Sequence, residues 1–280
     1  MRVNLHHIVY NKGRTTTNYT RSSMSYLSKE QTRQVLKEMQ KFEGVLNVIF
    51  QLHDLDLREN TGRRNALISK CQEKETAQVL RQSFKEVIED GNTGKPDIYI
   101  KDIDTELECK LTSGSKSNNS VSYSLQTDYA TLEKKGSLDY LFIIANKTFD
   151  KFCVLFFEGL TIDDYFEPAN GSRGKSRMCK WKAMEKVTVL HGDYEIVNEV
   201  RIAKLKEQRT VIQSEKAARL SELRVRLSEC SKFAIKEREN IISIMKNEED
   251  RYEKQVEKVD AKIKKWSEKT NAYSYKLHTL

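Results

Sequence analysis

The chain has 280 residues, of which 38% are hydrophobic, and 49 Lys and Arg residues against 41 Asp and Glu give a formal net charge of +8. This length and apolar content suffice for one substantial core and hardly for two, so we expect one globular domain with a less globular appendage. The basic balance suits a polyanionic partner such as nucleic acid, whereas five scattered cysteines without a CxxC pair argue against disulfides and zinc. Short apolar runs argue against a membrane span or signal peptide, and we therefore expect a cytoplasmic protein.

The N-terminal part of the sequence is predicted to be basic and then helical. Residues 11–23 carry three cations among serines and threonines, which indicates either a basic arm that becomes ordered on DNA or an ordinary flexible terminus. Ser28 followed by Gln31 is the pattern of a capping box, so we expect a helix that begins there and reaches about residue 51. A second helix is predicted over residues 65–82.

The hydrophobic period then changes from helical to strand-like. Three strands are predicted in an antiparallel run, at residues 84–88, 97–100 and 106–111. A polar loop and a helix near residues 125–134 lead to two apolar strands, at residues 139–145 and 152–158. The first of these two strands lacks alternation, which is typical of a strand in the middle of a sheet. The order of elements predicts an α/β fold with a mixed sheet.

A basic segment follows at residues 170–182, NGSRGKSRMCKWK, with two glycines and no acidic residue. Its five cations are Arg173, Lys175, Arg177, Lys180 and Lys182. We expect a flexible loop whose cations contact DNA phosphates. An ordinary exposed loop is the alternative.

The last part of the sequence is predicted to be a helical arm, because neither glycine nor proline occurs after Gly192. From about residue 201 to 266, apolar residues recur in steps of three and four, which is typical of a coiled coil or a helical hairpin. Arg209 and Glu248 interrupt this seam and leave both arrangements open, with a bend expected near residues 247–250. The predicted division is an N-terminal helical and basic region (residues 1–64), a core (residues 65–192) and the arm (residues 193–280).

Residues 95–112, KPDIYIKDIDTELECKLT, hold carboxylates at positions where two strands can bring them together. Alternate side chains of a strand share a face, so we expect Glu108 and Lys110 on one face and Leu107 and Cys109 on the other. One face of this strand is therefore predicted to be apolar core, and the other face charged.

Asp97 stands at the start of the neighbouring predicted strand, directly after Pro96, and pairing of the two strands brings it near Glu108. Two carboxylates, with a backbone carbonyl such as that of Cys109, supply the hard oxygen ligands that Mg²⁺ requires, and water and phosphate oxygens complete its octahedral shell. Lys110 is then placed to orient or deprotonate the attacking water and to offset charge that develops on the phosphate. The alternative is an exposed hairpin whose charged face is solvated.

With Pro96-Asp97 as a first motif and Glu108-Cys109-Lys110 as a second, residues 65–158 resemble the PD-(D/E)xK nuclease superfamily, to which many type II restriction endonucleases belong. The order of a helix, antiparallel strands with both motifs, a second helix and further strands is also similar. The resemblance implies a restriction-endonuclease-like α/β fold, in which helices flank a mixed β-sheet core. It also implies catalysis by the acids and the lysine of the two motifs with Mg²⁺, for which Mn²⁺ is a possible substitute.

The resemblance implies two supporting residues as well. Several members of the superfamily add a glutamate from the helix before the strands; Glu75 is our candidate because it shares a helical stripe with Cys71, and Glu73 is the competing choice. A glutamine in the following helix is frequent in some branches, and Gln126 is placed for it. The QxxxY signature of the RecB-like branch is not met, because Tyr129 follows Gln126 by three positions.

Together these features predict a Mg²⁺-dependent endonuclease that hydrolyses double-stranded DNA, of the sequence-specific restriction type. A homodimer joined through the arm is expected because two centres related by a twofold axis are needed to cut both strands of a palindrome. No nucleotide cofactor is expected, since no GxxxxGK[ST] motif occurs. The alternatives are a structure-specific nuclease of repair, recombination or phage DNA processing, and a non-catalytic DNA-binding or scaffolding protein built on a coiled coil.

Overall fold

The computed structural model of the protein describes residues 25–90, 92, 95–117 and 120–280, without the side chains of residues 115–122. Within this part of the chain the helices are α1 (Lys29–Gln51), α2 (Thr61–Leu80), α3 (Tyr129–Lys135), α4 (Lys180–Ala183), α5 (Val197–Glu229) and α6 (Ile235–Ser267). The strands are β1 (Val87–Glu89), β2 (Ile98–Ile100), β3 (Thr105–Ser113), β4 (Ser115–Ser117), β5 (Ser120–Ser122), β6 (Gln126–Asp128), β7 (Leu138–Ala145), β8 (Phe152–Leu160), β9 (Lys175–Arg177), β10 (Val187–His191), β11 (Asp193–Ile196) and β12 (Tyr273–Lys276). The basic arm predicted at residues 11–23 lies outside the described residues.

Six strands form one mixed sheet in the order β1-β2-β3-β7-β8-β10. Strands β3 and β7 are parallel, and the other neighbouring pairs are antiparallel. The predicted antiparallel run is confirmed as β1, β2 and β3, and the two predicted apolar strands are confirmed as β7 and β8. The α/β class with a mixed sheet is therefore confirmed, and β7 lies inside the sheet, as its unbroken apolar sequence predicts.

Helices pack against one face of the sheet, and a more irregular layer packs against the other face. Leu107 and Leu141 belong to the face covered by α1 and α2. Phe142 and Leu155 belong to the opposite face, which is covered by α3 and by the segment around α4. Because successive side chains of a strand point to opposite faces, β7 contributes to both apolar layers and is buried on both sides.

Side-chain caps set where the helices begin. The hydroxyl of Ser28 accepts a hydrogen bond from the Gln31 backbone N–H (3.1 Å), and the Gln31 side chain accepts one from the Ser28 N–H (2.9 Å), so the predicted capping box is present. Asp128 accepts a hydrogen bond from the Thr131 N–H (2.9 Å) and begins α3 at Tyr129. The helix predicted to start near residue 125 was therefore placed too early, since residues 126–128 form β6.

The basic segment at residues 170–182 is partly regular, which corrects the prediction of a flexible loop. Within it, β9 pairs with β6, so that Gln126 lies opposite Arg177 and Asp128 opposite Lys175. A short helix, α4, follows. This pairing connects the basic segment to the chain just before α3.

The arm is a hairpin of two antiparallel 33-residue helices, α5 and α6. Its turn lies at residues 230–234, which corrects the bend expected near residues 247–250. Both seam interruptions form ion pairs: Arg209 lies 2.9 Å from Asp260, and Glu248 lies 3.8 Å from Arg219. Polar seam positions are tolerated because the facing helix supplies a counter-charge, and α6 runs straight through the expected bend.

The chain returns to the core after the hairpin. Strand β12 pairs with β11, and His278 and Phe152 exchange two backbone hydrogen bonds of 2.8 Å. Asn198 donates to the carbonyls of Lys269 (3.0 Å) and Thr270 (3.1 Å), which holds the base of the hairpin together. Within the described residues, the helices are all too short or too polar to cross a membrane.

Candidate active site

The register of β2 and β3 brings together the three residues on which the sequence interpretation depends. Ile98 pairs with Leu107, and one further step along this register sets Asp97 opposite Glu108. The Cys109 backbone N–H donates to Asp97 Oδ2 (2.8 Å). Lys110 Nζ lies 2.7 Å from Glu108 Oε2 and 4.0 Å from Asp97 Oδ2. Two carboxylates and one ammonium thus converge at one point of the sheet.

Burial makes this cluster electrostatically costly, and the lysine compensates for it. Glu108 is 9% exposed, and its burial raises the pKa of its carboxyl, an effect that Lys110 opposes and Asp97 reinforces. Burial alone would lower the pKa of Lys110, but the charges of Glu108 and Asp97 outweigh it and raise that pKa. Lys110 is therefore a cation at neutral pH in this arrangement, suited to orienting a water molecule or stabilising negative charge.

An open cleft of about 530 Å³ borders Asp97 and Lys110. It lies between the first turns of α2, the end of β3 and the β6–β9 pair. Its other polar lining side chains are Thr61, Asn65, Ser69, Glu73, Thr112, Ser113, Gln126 and Lys175. The cleft thus offers acidic groups on one side and a lysine on the β6–β9 side.

Of the two candidate helix carboxylates, the structure places Glu73 in the cleft and Glu75 elsewhere. Glu73 accepts a hydrogen bond from Lys70 (2.6 Å), and burial raises the pKa of its carboxyl, with a contribution from Asp97. Glu75 lines a separate groove between α1 and α2, next to Lys41. The helical stripe that Glu75 shares with Cys71 faces α1. Glu73, two positions earlier, lies on a different face of the helix, because neighbours on one face are three or four residues apart. The preference for Glu75 is corrected on this ground.

Gln126 lines the cleft, although it lies on β6 and not on the predicted helix. The neighbouring Lys175 lines the cleft from β9. Gln126 and Lys175 are thus the members of the predicted Gln and basic sets that the structure brings to the cleft.

The other predicted DNA-binding cations do not reach the cleft. Lys180 donates to the carbonyl of Tyr123 (2.9 Å), and burial lowers the pKa of its ammonium. Lys182 donates to the carbonyl of Asp163 (3.1 Å). Both lysines hold the backbone around α4, and their contact with DNA phosphates stays a prediction. Arg173 and Arg177 are exposed, and Arg177 belongs to β9 beside the cleft.

The structure also gives Arg64 a buried supporting role that the sequence interpretation did not assign to it. Arg64 is fully buried behind the cleft wall, where its guanidinium donates to Ser113 Oγ (2.7 Å), Asn65 Oδ1 (3.1 Å) and the carbonyls of Asn146 (3.2 Å) and Lys147. Because Asn65 and Ser113 line the cleft, Arg64 fixes two of its polar groups from behind. The signal in the sequence was the four-residue step from Arg64 to the apolar Ile68, which predicts a shared inward face of the helix.

Two carboxylates and a backbone carbonyl are oxygen donors of the kind that Mg²⁺ takes. Among the described residues no group of three or more His, Cys, Asp and Glu side chains is placed to hold a metal. The candidate ligands are therefore only two side chains, the carboxylates of Asp97 and Glu108, together with the backbone carbonyl of Cys109. Both carboxylates already lie within 4.0 Å of one positive charge, the Lys110 ammonium. Mg²⁺ usually takes one or two carboxylates and keeps several waters, and the open cleft leaves room for them.

No protein-family model matches the sequence, and no curated protein is significantly similar to it. The resemblance to the PD-(D/E)xK superfamily therefore depends on the two motifs and on the order of the elements around them. The functional interpretation depends on the geometry of Asp97, Glu108 and Lys110 and on the chemistry of these groups.

Proposed function

We propose that this chain is a Mg²⁺-dependent endonuclease that hydrolyses phosphodiester bonds of double-stranded DNA. The observation that carries the proposal is the convergence of Asp97, Glu108 and Lys110 beside the cleft that Asp97 and Lys110 line, with one ammonium within 4.0 Å of both carboxylates. This is the arrangement that the resemblance to PD-(D/E)xK nucleases implies. The exposed-hairpin alternative is disfavoured because β3 lies inside the sheet and Glu108 is buried.

Each residue of the cluster has a distinct chemical task in this proposal. Asp97 and Glu108, with the carbonyl of Cys109, hold Mg²⁺, which when bound polarises the phosphate and activates water. The Cys109 N–H donates to Asp97 and fixes the orientation of its carboxylate. Lys110 orients the attacking water and offsets the negative charge that develops on the phosphate. Glu73 lines the same cleft and adds a further acidic group to it.

DNA binding in this proposal involves the β6–β9 side of the cleft. Lys175 supplies a positive charge for a backbone phosphate, and Gln126 supplies a neutral donor and acceptor. Recognition of a defined sequence, as in restriction enzymes, is the finer form of the proposal. Discrete fragments from a plasmid substrate would support it, whereas nicking confined to branched DNA would favour a structure-specific nuclease.

The direct test is cleavage of mixed plasmid and linear DNA with Mg²⁺. Asp97→Asn, Glu108→Gln and Lys110→Met should each lower the rate by about 100-fold or more, because each removes a ligand or a charge that acts in the transition state. EDTA should abolish cleavage, and Ca²⁺ should permit DNA binding with little cutting.

Matched controls are available on α3. Glu133 and Lys134 are exposed, so Glu133→Gln and Lys134→Met remove the same charges away from the cleft. Both control variants should cut at the wild-type rate. Full cleavage by folded Asp97→Asn protein would refute the site, and equal losses in the α3 variants would show that the effect is not specific to the cluster.

A further inference from the structure

The surplus positive charge of the helical hairpin is concentrated at its base. The base is defined here as residues 197–209 of α5 and residues 258–269 of α6, which carry nine Lys and Arg residues against four Asp and Glu. Residues 210–257, which form the rest of the hairpin, carry ten of each kind. A local excess of positive charge attracts a polyanion, whereas the balanced remainder of the hairpin does not.

Four lysines of the base follow one line along α6, here called the lysine stripe. They are separated by steps of four, three and four residues, which places them on one face of the helix. The members of the stripe are Lys258, Lys262, Lys265 and Lys269. All four are exposed, and the first three have no ion-pair partner within the described part of the chain. The stripe is about 16 Å long at 1.5 Å per residue.

Few acids lie near the lysine stripe. Among the residues of α6 that lie three or four positions from a stripe lysine, Glu268 is the single acid. Asp260 is held by Arg209 at 2.9 Å. The two remaining acids of the base, Glu199 and Glu207, belong to α5, which contributes four cations to the base. The stripe therefore keeps its positive charge after the acids around it are counted.

Trp266 joins the lysine stripe to α5. The Arg201 guanidinium lies 4.3 Å from the centroid of the Trp266 ring, and the Lys269 ammonium lies 4.0 Å from it. Cation–π attraction holds both cations beside one ring, so the two helices contribute to one basic surface. Like charges held this close repel each other, and an anion that binds beside them removes part of this cost.

The base of the hairpin is attached beside the candidate active site. Tyr275 of β12 packs edge-on against Tyr123, with ring centroids 5.7 Å apart. Ser124 and Gln126 follow Tyr123 along the chain, and they line a pocket of about 310 Å³ together with Lys110. A long polymer that lies in the cleft can therefore also contact the base of the hairpin.

A nucleic-acid backbone fits the lysine stripe better than a membrane surface does. A helix that lies on a membrane buries an apolar face, yet in the described stretch 251–269 no large apolar side chain is exposed. Each strand of duplex DNA carries one phosphate for about every 3.4 Å of helix axis, so a stripe of about 16 Å lies along roughly five phosphates. Lysines at this spacing match the charge of such a strand.

We propose that the base of the hairpin binds the phosphate backbone of duplex DNA outside the cleft. The lysine stripe contacts successive phosphates of one strand, and Arg201 adds a cation beside Trp266. The contact is independent of base sequence, because it involves the charged backbone alone. The inference rests on the proposed function in taking DNA as the polymer, but DNA binding is measured without cleavage.

The test is duplex binding by the full chain, followed by fluorescence anisotropy in EDTA so that no strand is cut. Two duplexes of about 30 base pairs with unrelated sequences serve as probes. Replacement of all four stripe lysines by glutamine should weaken binding of both duplexes by about 30-fold or more at about 100 mM salt. Each phosphate contact contributes about 0.9 to the slope of log affinity against log salt, so this slope should become smaller by about 3 to 4.

A matched control variant removes the same number of charges from other parts of the hairpin. It replaces four exposed lysines by glutamine, and these are Lys206, Lys232, Lys236 and Lys246. The two variants have the same net charge, so a difference between them reports where DNA binds. The control variant should bind within about threefold of the wild type, since its lost charges are screened from the bound duplex. Circular dichroism checks that both variants are folded.

Three results would overturn the proposal: equal affinities of the stripe variant and the control variant, a loss confined to one of the two duplexes, or a wild type that binds vesicles of phosphatidylserine and phosphatidylcholine but no duplex. The fate of the proposed nuclease is read separately. A wild type that binds duplex through the lysine stripe and cuts nothing with Mg²⁺ would support this inference and refute the proposed nuclease.

Discussion

Replacement of Arg64 by methionine should destabilise the fold much more than the same replacement at the neighbouring Arg63. Arg64 is fully buried, and its guanidinium donates to Ser113 Oγ and to the carbonyls of Asn146 and Lys147. Arg63 is exposed. The two variants remove the same charge from consecutive positions of α2, so their difference measures the buried hydrogen bonds.

The expected size of the effect follows from these contacts. Four acceptors lose the guanidinium as a donor, and each buried acceptor that keeps no other donor costs about 1–3 kcal/mol. Methionine retains the packing of the aliphatic stem, and the loss of a buried cation removes a desolvation penalty of several kcal/mol. We therefore expect Arg64→Met to lower the free energy of unfolding by about 3 kcal/mol, and Arg63→Met to change it by less than about 0.5 kcal/mol.

Urea unfolding, followed by circular dichroism, measures both values. The slope of the free energy against urea concentration should be unchanged, so that the difference appears in the midpoint. Equal midpoints for the Arg64→Met and Arg63→Met variants would refute the argument that the buried guanidinium holds the cleft wall together.

Three further predictions concern a glycine, a buried acid and the acidic cluster. A Cβ at Gly192 (φ +72°) would lie 2.7 Å from a backbone oxygen, whereas a Cβ at Gly171 (φ +80°) meets nothing within 4 Å. Gly192→Ala should therefore lower the free energy of unfolding in urea by about 1–3 kcal/mol more than Gly171→Ala does, and equal losses for the two variants would contradict the clash. Burial raises the pKa of Asp139, so the folded protein holds this proton more tightly than the unfolded chain, and the stability of the wild type should fall as pH rises through the raised pKa. The Asp139→Asn variant should not show this fall. A difference in melting temperature between wild type and variant that stays constant between pH 4 and 7 would contradict the prediction. Lys110→Met removes the cation that two carboxylates share, so without divalent ions it should lower the free energy of unfolding by about 1–3 kcal/mol. Mg²⁺ should then raise the melting temperature of this variant more than that of the wild type. An equal rise in both proteins would argue against the metal site.

Much of the site could be predicted because its signals are local. Alternation along β3 places Leu107 in the apolar layer and Glu108 on the other face, and both assignments agree with the structure. Two short neighbouring strands allow few registers, so Asp97 could be expected near Glu108 before any coordinates were known. The capping box at Ser28 depends on four consecutive residues and was readable in the same way.

Other assignments depend on which surface packs against which. Glu73 and Glu75 are equivalent in composition and spacing, and the choice between them requires knowing that one face of α2 meets α1 while another borders the cleft. Lys180 and Lys182 look like free cations in the sequence, yet their partners are carbonyls of residues far along the chain. Long-range partners of this kind leave no local pattern.

The amino-acid sequence by itself determined the α/β class, the strands that carry the acidic cluster and the helical character of the arm, because periodicity and capping act over a few residues. Tertiary structure alone decided that the arm folds back at residues 230–234, that β12 returns to the core, and that Arg64 supports the cleft from behind. These features depend on free energies of contact between distant segments, which become definite only when the whole chain is packed.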